Sequence, residues 1–259
     1  MLSIFLVSQG DALLVEYPDK VGIERVVIKW RGENVPFSRI DESWVTVIGA
    51  DIDTAPGDHN ATVSFYFEDG RSDERHEIVR VEKKSFPVTR LKVQSKYVEL
   101  SPDDLARTRI ESRRLGTVFR KISPKIHWDG SFGVPIEGGE GSNFGHRRVF
   151  NDQPRNPHSG ADIAAKAGTL VRATNRGEVV VTGDFFFNGN TVIVDHGLGI
   201  YSVYLHLSKI EVEEGEFVDK EEVLGHVGAT GRVTGPHLHW GFRIQNARVD
   251  PFSLLRLAP

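Results

Sequence analysis

His237-Leu238-His239-Trp240, near the end of the chain, is the stretch whose reading decides the fold. Imidazoles alternate here with a leucine and an indole. In a strand, residues i and i+2 point to the same face. His237 and His239 then face one pocket, while Leu238 and Trp240 pack on the other side. Two imidazoles on one face of a rigid strand are half of a metal site. His158-Ser159-Gly160-Ala161-Asp162 offers the other half, one nitrogen and one oxygen donor, with Gly160 letting the chain turn so that both converge. Zinc takes such mixed ligands tetrahedrally, and a catalytic zinc keeps three protein ligands and one open position. Any three of these four residues would make that site, with the fourth left to move protons.

Around this strand the second half reads as antiparallel β structure with long loops. Gly177-Glu178-Val179-Val180-Val181-Thr182 and Thr191-Val192-Ile193-Val194-Asp195 are strand-like, with Asn188-Gly189-Asn190 as the hairpin turn between them. Tyr201 to His206 and Val223 to Gly228 continue the pattern. Phe185, Phe186 and Phe187 precede the turn; one exposed ring could line a groove, with buried packing read for the other two. The first half is also β: Val26 to Trp30, Trp44 to Ile48 and Ala61 to Phe67 are rich in β-branched and aromatic residues and are separated by turn signals. These predict a small β-sandwich. His59 and His76 are read as surface residues. Between the halves, Ser101-Pro102-Asp103-Asp104 predicts a helix start, with a capping serine, proline at the first position and acids in the first turn. Its arginines (Arg107, Arg109, Arg113, Arg114, Arg120) are read as a solvated face. The expected organisation is mainly β: an N-terminal β-sandwich domain over 1–95, a helical connector over 96–127 and a C-terminal antiparallel β domain over 128–259.

Composition bounds the chemistry. The 259 residues allow one large or two modest domains. A net charge of −4 argues against nucleic acid as the main partner, because no basic excess displaces phosphate counterions. The absence of cysteine removes thiolate metal sites and cysteine nucleophiles, so a zinc site must be built from histidine and carboxylate. The apolar start Met1 to Val7 is too short for a secretory core or a membrane span and reads as a first strand. No His-Glu-x-x-His helix, no Gly-x-Ser-x-Gly elbow and no phosphate-binding loop with its lysine is present.

The motifs together carry a resemblance. Phe144-Gly145-His146-Arg147, His158 to Asp162, Gly189-Asn190-Thr191-Val192, Asp195-His196-Gly197, Tyr204-Leu205-His206-Leu207-Ser208 and Gly228 to Trp240 stand in order from about Ile136 to Pro251. This segment resembles the zinc metallopeptidase family that contains lysostaphin and LytM, the M23 or LAS-type peptidoglycan endopeptidases. The first half resembles, through weaker motifs, the Ig-like domains that precede some members. The resemblance implies one zinc ion held by His158, Asp162 and His239. It also implies catalytic His206 and His237 at the open zinc position, with His237 as the leading base, His206 as its partner, and the reverse assignment open. Tyr204, two residues before His206, can share its face and matches a tyrosine that helps stabilise the oxyanion in some relatives. Arg147 matches an arginine near the cleft, and Asn143 stands where latent relatives carry an asparagine that blocks the metal; a loop role is read for it here. His127, His146, His196 and His226 are expected to be structural. The implied substrate is a peptide of the bacterial cell wall, the implied location the periplasm or cell envelope, and activity should fall below about pH 6 as imidazoles protonate. A non-catalytic member that binds wall or activates another hydrolase is the alternative, though such members lose ligands that this chain retains.

Overall fold

The computed structural model describes residues 4–141 and 143–257, and in it the chain is mainly β. The first three residues of the apolar start lie outside the described residues; Ile4–Ser8 forms a strand. In the first half, the strands Ile4–Ser8, Ser72–Glu82, Gly57–Phe67, Ile23–Trp30 and Glu33–Pro36 lie side by side in that order. A second sheet joins Ala12–Pro18, Ser43–Gly49 and Ser38–Ile40. Alternation sets the burial: Ala61, Val63 and Phe65 point inward from one strand and meet Val15, Val26, Ile28 and Val79. His59 and His76 lie toward the surface, as their polar neighbours imply.

The second half is built on a sheet in which Gly160–Ile163, Leu238–Ile244, Ile200–Ile210, Gly189–Asp195 and Gly177–Phe185 are successive neighbours, all antiparallel. Its interior face packs Trp240, Phe242, Tyr204, Leu238 and Val194 into one core. Ala12 and Val47 of the first half belong to that same core. Arg248 reinforces the junction, donating to both oxygens of buried Asp51 and to Asp53. Burial pushes the Asp51 carboxyl up, but the guanidinium outweighs it and the net shift is downward.

The helix Pro102–Phe119 starts as its sequence predicts: the Ser101 side chain accepts a hydrogen bond from the Asp104 amide. It does more than connect. Phe119 is buried and meets the Tyr201 ring at 5.6 Å. Its basic residues are not simply solvated: Arg107 donates to Asp184, and Arg114 pairs with Glu214. These contacts clamp the helix to the outer face of the sheet of the second half. A further departure involves Val88–Leu91, counted with the first half in the sequence. It pairs in parallel with Arg147–Phe150 of the second half.

His196 shows how a histidine close to a motif can be wholly structural. It is 0% exposed, its Nδ1–H donates to the Arg176 carbonyl, and its Nε2 accepts from the Ser202 hydroxyl. Burial pulls its pKa down to about 4. The unfolded chain therefore takes up a proton before the folded one does. The stability contributed by the neutral ring is complete above about pH 6.5 and is lost as pH falls toward 4, on the order of 3 kcal/mol for this group. Urea denaturation at pH 7 and pH 4.5 is expected to show a clear loss of unfolding free energy at the lower pH. Equal values would contradict the neutral assignment.

Candidate metal centre and active-site groove

Three donor atoms converge at the edge of the sheet of the second half. Asp162 lies opposite His239 in the ladder between Gly160–Ile163 and Leu238–Ile244, so the two side chains share a face. His158 precedes that short strand and swings back over it. His158 Nε2 lies 2.8 Å from His239 Nδ1 and 3.0 Å from Asp162 Oδ1, and His239 Nδ1 lies 2.9 Å from the same oxygen. A tetrahedral zinc with bonds of about 2.0–2.1 Å spaces its donors about 3.4 Å apart. The triangle is within about half an ångström of that, and its donor chemistry of two imidazoles and a carboxylate suits a divalent cation.

Two of the three donors are held from behind. His158 Nδ1–H donates to the Asn143 carbonyl at 2.9 Å, which leaves Nε2 with its lone pair toward the centre. Asp162 Oδ2 accepts from the Asn143 side-chain amide at 3.0 Å and from Arg148 Nη2 at 3.3 Å, so Oδ1 is the oxygen that faces the histidines. Asn143 is thus a brace: its side-chain Oδ1 also accepts from the Asp162 backbone amide. Gly160 is required for a different reason from the one read in the sequence. Its φ is not positive; a Cβ there would lie 2.6 Å from His239 Nε2 and 2.5 Å from the Trp240 carbonyl. The glycine makes room for a ligand ring.

Electrostatics keep the set in ligand form. Burial lowers His158 to about 4 and lowers His239 as well. Burial pushes Asp162 up, but its close contacts with the His158 and His239 imidazoles dominate and hold its carboxyl well below the usual range. The imidazoles are neutral and the carboxylate charged at neutral pH, which is the state a cation requires.

His206 and His237 stand beside this triangle. Their rings are 5.0 Å apart, the His206 ring is 6.1 Å from that of His239, and His237 Nε2 is 3.7 Å from Asp162 Oδ1. His206 Nδ1–H donates to the Thr230 carbonyl and His237 Nδ1–H to the Gly235 carbonyl, each at 2.9 Å. Both rings are thus held through Nδ1, and neither Nε2 has a hydrogen-bond partner among the described residues. The Gly228 to Pro236 loop supplies both carbonyls, and an isolated bridge between Gly228 and His237 closes it. Burial lowers His206 to about 3, with the charges of His239 and His237 adding to the effect.

Tyr204 does not belong to this group. The alternation that would put it on the face of His206 breaks at His206 itself, which has φ +66°. Leu205 and His206 together oppose one residue, Thr191, across the ladder, a bulge that turns the histidine toward the site. Tyr204 stays behind, 0% exposed among core residues, its hydroxyl accepting from the Thr174 amide at 2.9 Å. The expected oxyanion role is corrected accordingly. Tyr204→Phe is expected to cost about 1–3 kcal/mol of stability and to leave kcat within about threefold. A kcat loss beyond tenfold in a folded variant would restore the catalytic reading.

Two more residues move. Arg147 points away and donates to Asp53; its neighbour Arg148 is the one that reaches the site, since adjacent strand residues face opposite sides. Among the three phenylalanines only Phe185 is buried. Phe186 and Phe187 sit in the turn against the ring of Tyr97, and Phe187 lines a groove. This groove, about 570 Å³, opens from His206 and His239. His127, His146 and His226 bond elsewhere, His146 to Thr89 and His226 to Glu211.

The fold and site have counterparts. Residues 156–251 match the model of peptidase family M23. The crystal structure of an M23 peptidase from Pseudomonas aeruginosa superposes with a TM-score of 0.74 at 32% identity, over 96% of this chain and 94% of that one. The peptidoglycan DD-endopeptidase ShyA of Vibrio cholerae is 42% identical over 110 residues, covering 42% of this chain and 26% of ShyA. The DD-carboxypeptidase/endopeptidase Mpg of Neisseria meningitidis is 43% identical over 102 residues, covering 39% of this chain and 24% of Mpg. The chain thus spans about a quarter of the length of these two relatives.

Proposed function

Because the chain belongs to peptidase family M23, we propose that it is a zinc metalloendopeptidase hydrolysing peptide cross-links of bacterial peptidoglycan, and that it works outside the cytoplasm, where that polymer lies. The observation that carries this reading is the convergence of the His158, Asp162 and His239 donors with two further imidazoles beside them. His158 Nε2, Asp162 Oδ1 and His239 Nδ1 would hold one zinc ion. Bound there, zinc supplies Lewis acidity that polarises the scissile carbonyl and acidifies water. His237, through Nε2, takes the proton from the attacking water and delivers it to the leaving amine. His206, neutral and fixed by Thr230, accepts a hydrogen bond that aims the water. Tyr204 does not put a phenol at the oxyanion, since it is in the core.

The complete ligand set favours an enzyme over a non-catalytic wall-binding module. No helix among the described residues is long and apolar enough to cross a membrane. The test uses the full chain and purified sacculi. Zinc-loaded protein is expected to release soluble cross-link fragments, and chelated protein none until zinc is restored. Undiminished release by chelated protein with no measurable metal would overturn the proposal.

A further inference from the structure

The groove beside the metal centre carries more positive charge than the carboxylates described around it balance. Arg148, Arg155 and Arg232 line it, and no aspartate or glutamate does. Arginines elsewhere in the chain meet acids: Arg107 with Asp184, Arg114 with Glu214, Arg147 with Asp53, Arg248 with Asp51. Arg148 gives one hydrogen bond to Asp162. Arg155 and Arg232 have no carboxylate partner among the described residues. Arg155 donates to the Gln153 side chain and to the carbonyls of Pro154 and Val98. The Arg232 guanidinium lies over two rings, 4.5 Å from the centre of Phe187 and 4.9 Å from that of Phe150, and Arg148 lies over Phe150 as well.

Like charges gathered in a half-buried groove cost free energy unless an anion arrives. Burial, with the charges of Arg148 and Arg155, draws Arg232 down to about 10, which leaves it charged at neutral pH. The aromatic floor fixes the plane of the guanidinium and leaves its edge free, the arrangement suited to a bidentate carboxylate.

Resting on the hydrolase reading, we infer that Arg155 and Arg232, aided by the field of Arg148, form a subsite for a free carboxylate of the substrate peptide, close to the scissile bond. The enzyme then selects acidic stem peptides over neutral ones such as oligoglycine bridges or stems whose carboxylates are amidated. His206 and His239 line the same groove, so one short peptide reaches both the metal centre and the arginines. Charge-assisted pairs of this kind correspond to about tenfold to hundredfold in affinity.

The test compares two cross-linked peptides that differ only in bearing free stem carboxylates or carboxamides. Wild-type kcat/KM is expected to favour the free acid by about tenfold or more, chiefly through KM. In Arg232→Gln and in Arg155→Gln the ratio should fall toward one. Equal wild-type values, or variants that keep the preference, would overturn the subsite. A second measurement is independent of hydrolysis: calorimetric binding of the un-cross-linked stem peptide, which has no scissile cross-link, to the full chain. Tighter binding of the free acid than of the amide supports the subsite, and equal affinities overturn it. Failure of zinc-loaded protein to cleave either cross-linked peptide rejects the hydrolase reading alone.

Discussion

His237→Ala is expected to lower kcat by about 10²- to 10⁴-fold while the purified chain still holds one zinc, because the change removes a proton acceptor and none of the ligands. The geometry separates this residue from its neighbour. Both imidazoles are held through Nδ1, but His206 is the more deeply buried, and burial lowers it to about 3. A ring that resists protonation so strongly is a good hydrogen-bond acceptor and a poor proton store. His206→Ala is therefore expected to lower kcat as well, through loss of aim, and to leave the acid limb of the pH–rate profile where it was. His206 stays neutral down to about pH 3, so the fall in activity on acidification comes from other groups. Kinetics from pH 4.5 to 8 on the wild type and both variants, with metal content measured at each pH, check this. Wild-type kcat in His237→Ala, or loss of the acid limb in His206→Ala, would exchange or cancel the two roles.

The site was legible in the sequence wherever strand alternation holds. His237, Leu238 and His239 follow it, and the ladder places His239 opposite Asp162. The capping serine and the first-turn acids likewise marked the helix Pro102–Phe119. What alternation could not reveal was its own interruption. His206 adopts a left-handed backbone in a bulge, and no signal in Tyr204-Leu205-His206 shows that two residues there oppose one. The resemblance placed Arg147 near the cleft, but Arg148 is the one that reaches Asp162, because the face of a short strand depends on its partner. That partner, Val88–Leu91, comes from far earlier in the chain. The bracing by Asn143 was hidden for a similar reason: its amide meets Asp162 through the path of an irregular loop. Gly160 was identified as important, but for torsional freedom. Only coordinates show that the missing Cβ is the space His239 occupies.

Asp162→Asn tests the metal centre most severely, because it keeps the shape and removes the charge. Four groups converge on this carboxylate. Asn143 and Arg148 take Oδ2, while His158 and His239 lie at Oδ1. An amide in its place cannot satisfy both sides. If its NH₂ occupies the Oδ2 position, it meets two donors, Asn143 and Arg148. If the amide is turned over, the NH₂ faces the point where the cation would sit. Either way an anionic ligand is lost and the Arg148 guanidinium is left without its countercharge in a half-buried place. Zinc content is expected to fall from about one per chain to below about 0.1, and cross-link hydrolysis to fall to background. The fold should persist, since the core of Trp240, Phe242 and Tyr204 does not involve this side chain. Circular dichroism and metal analysis on the same sample separate loss of metal from loss of structure. A folded Asp162→Asn chain with full zinc and full activity would remove Asp162 from the ligand set, and with it the three-donor centre on which the hydrolytic mechanism depends.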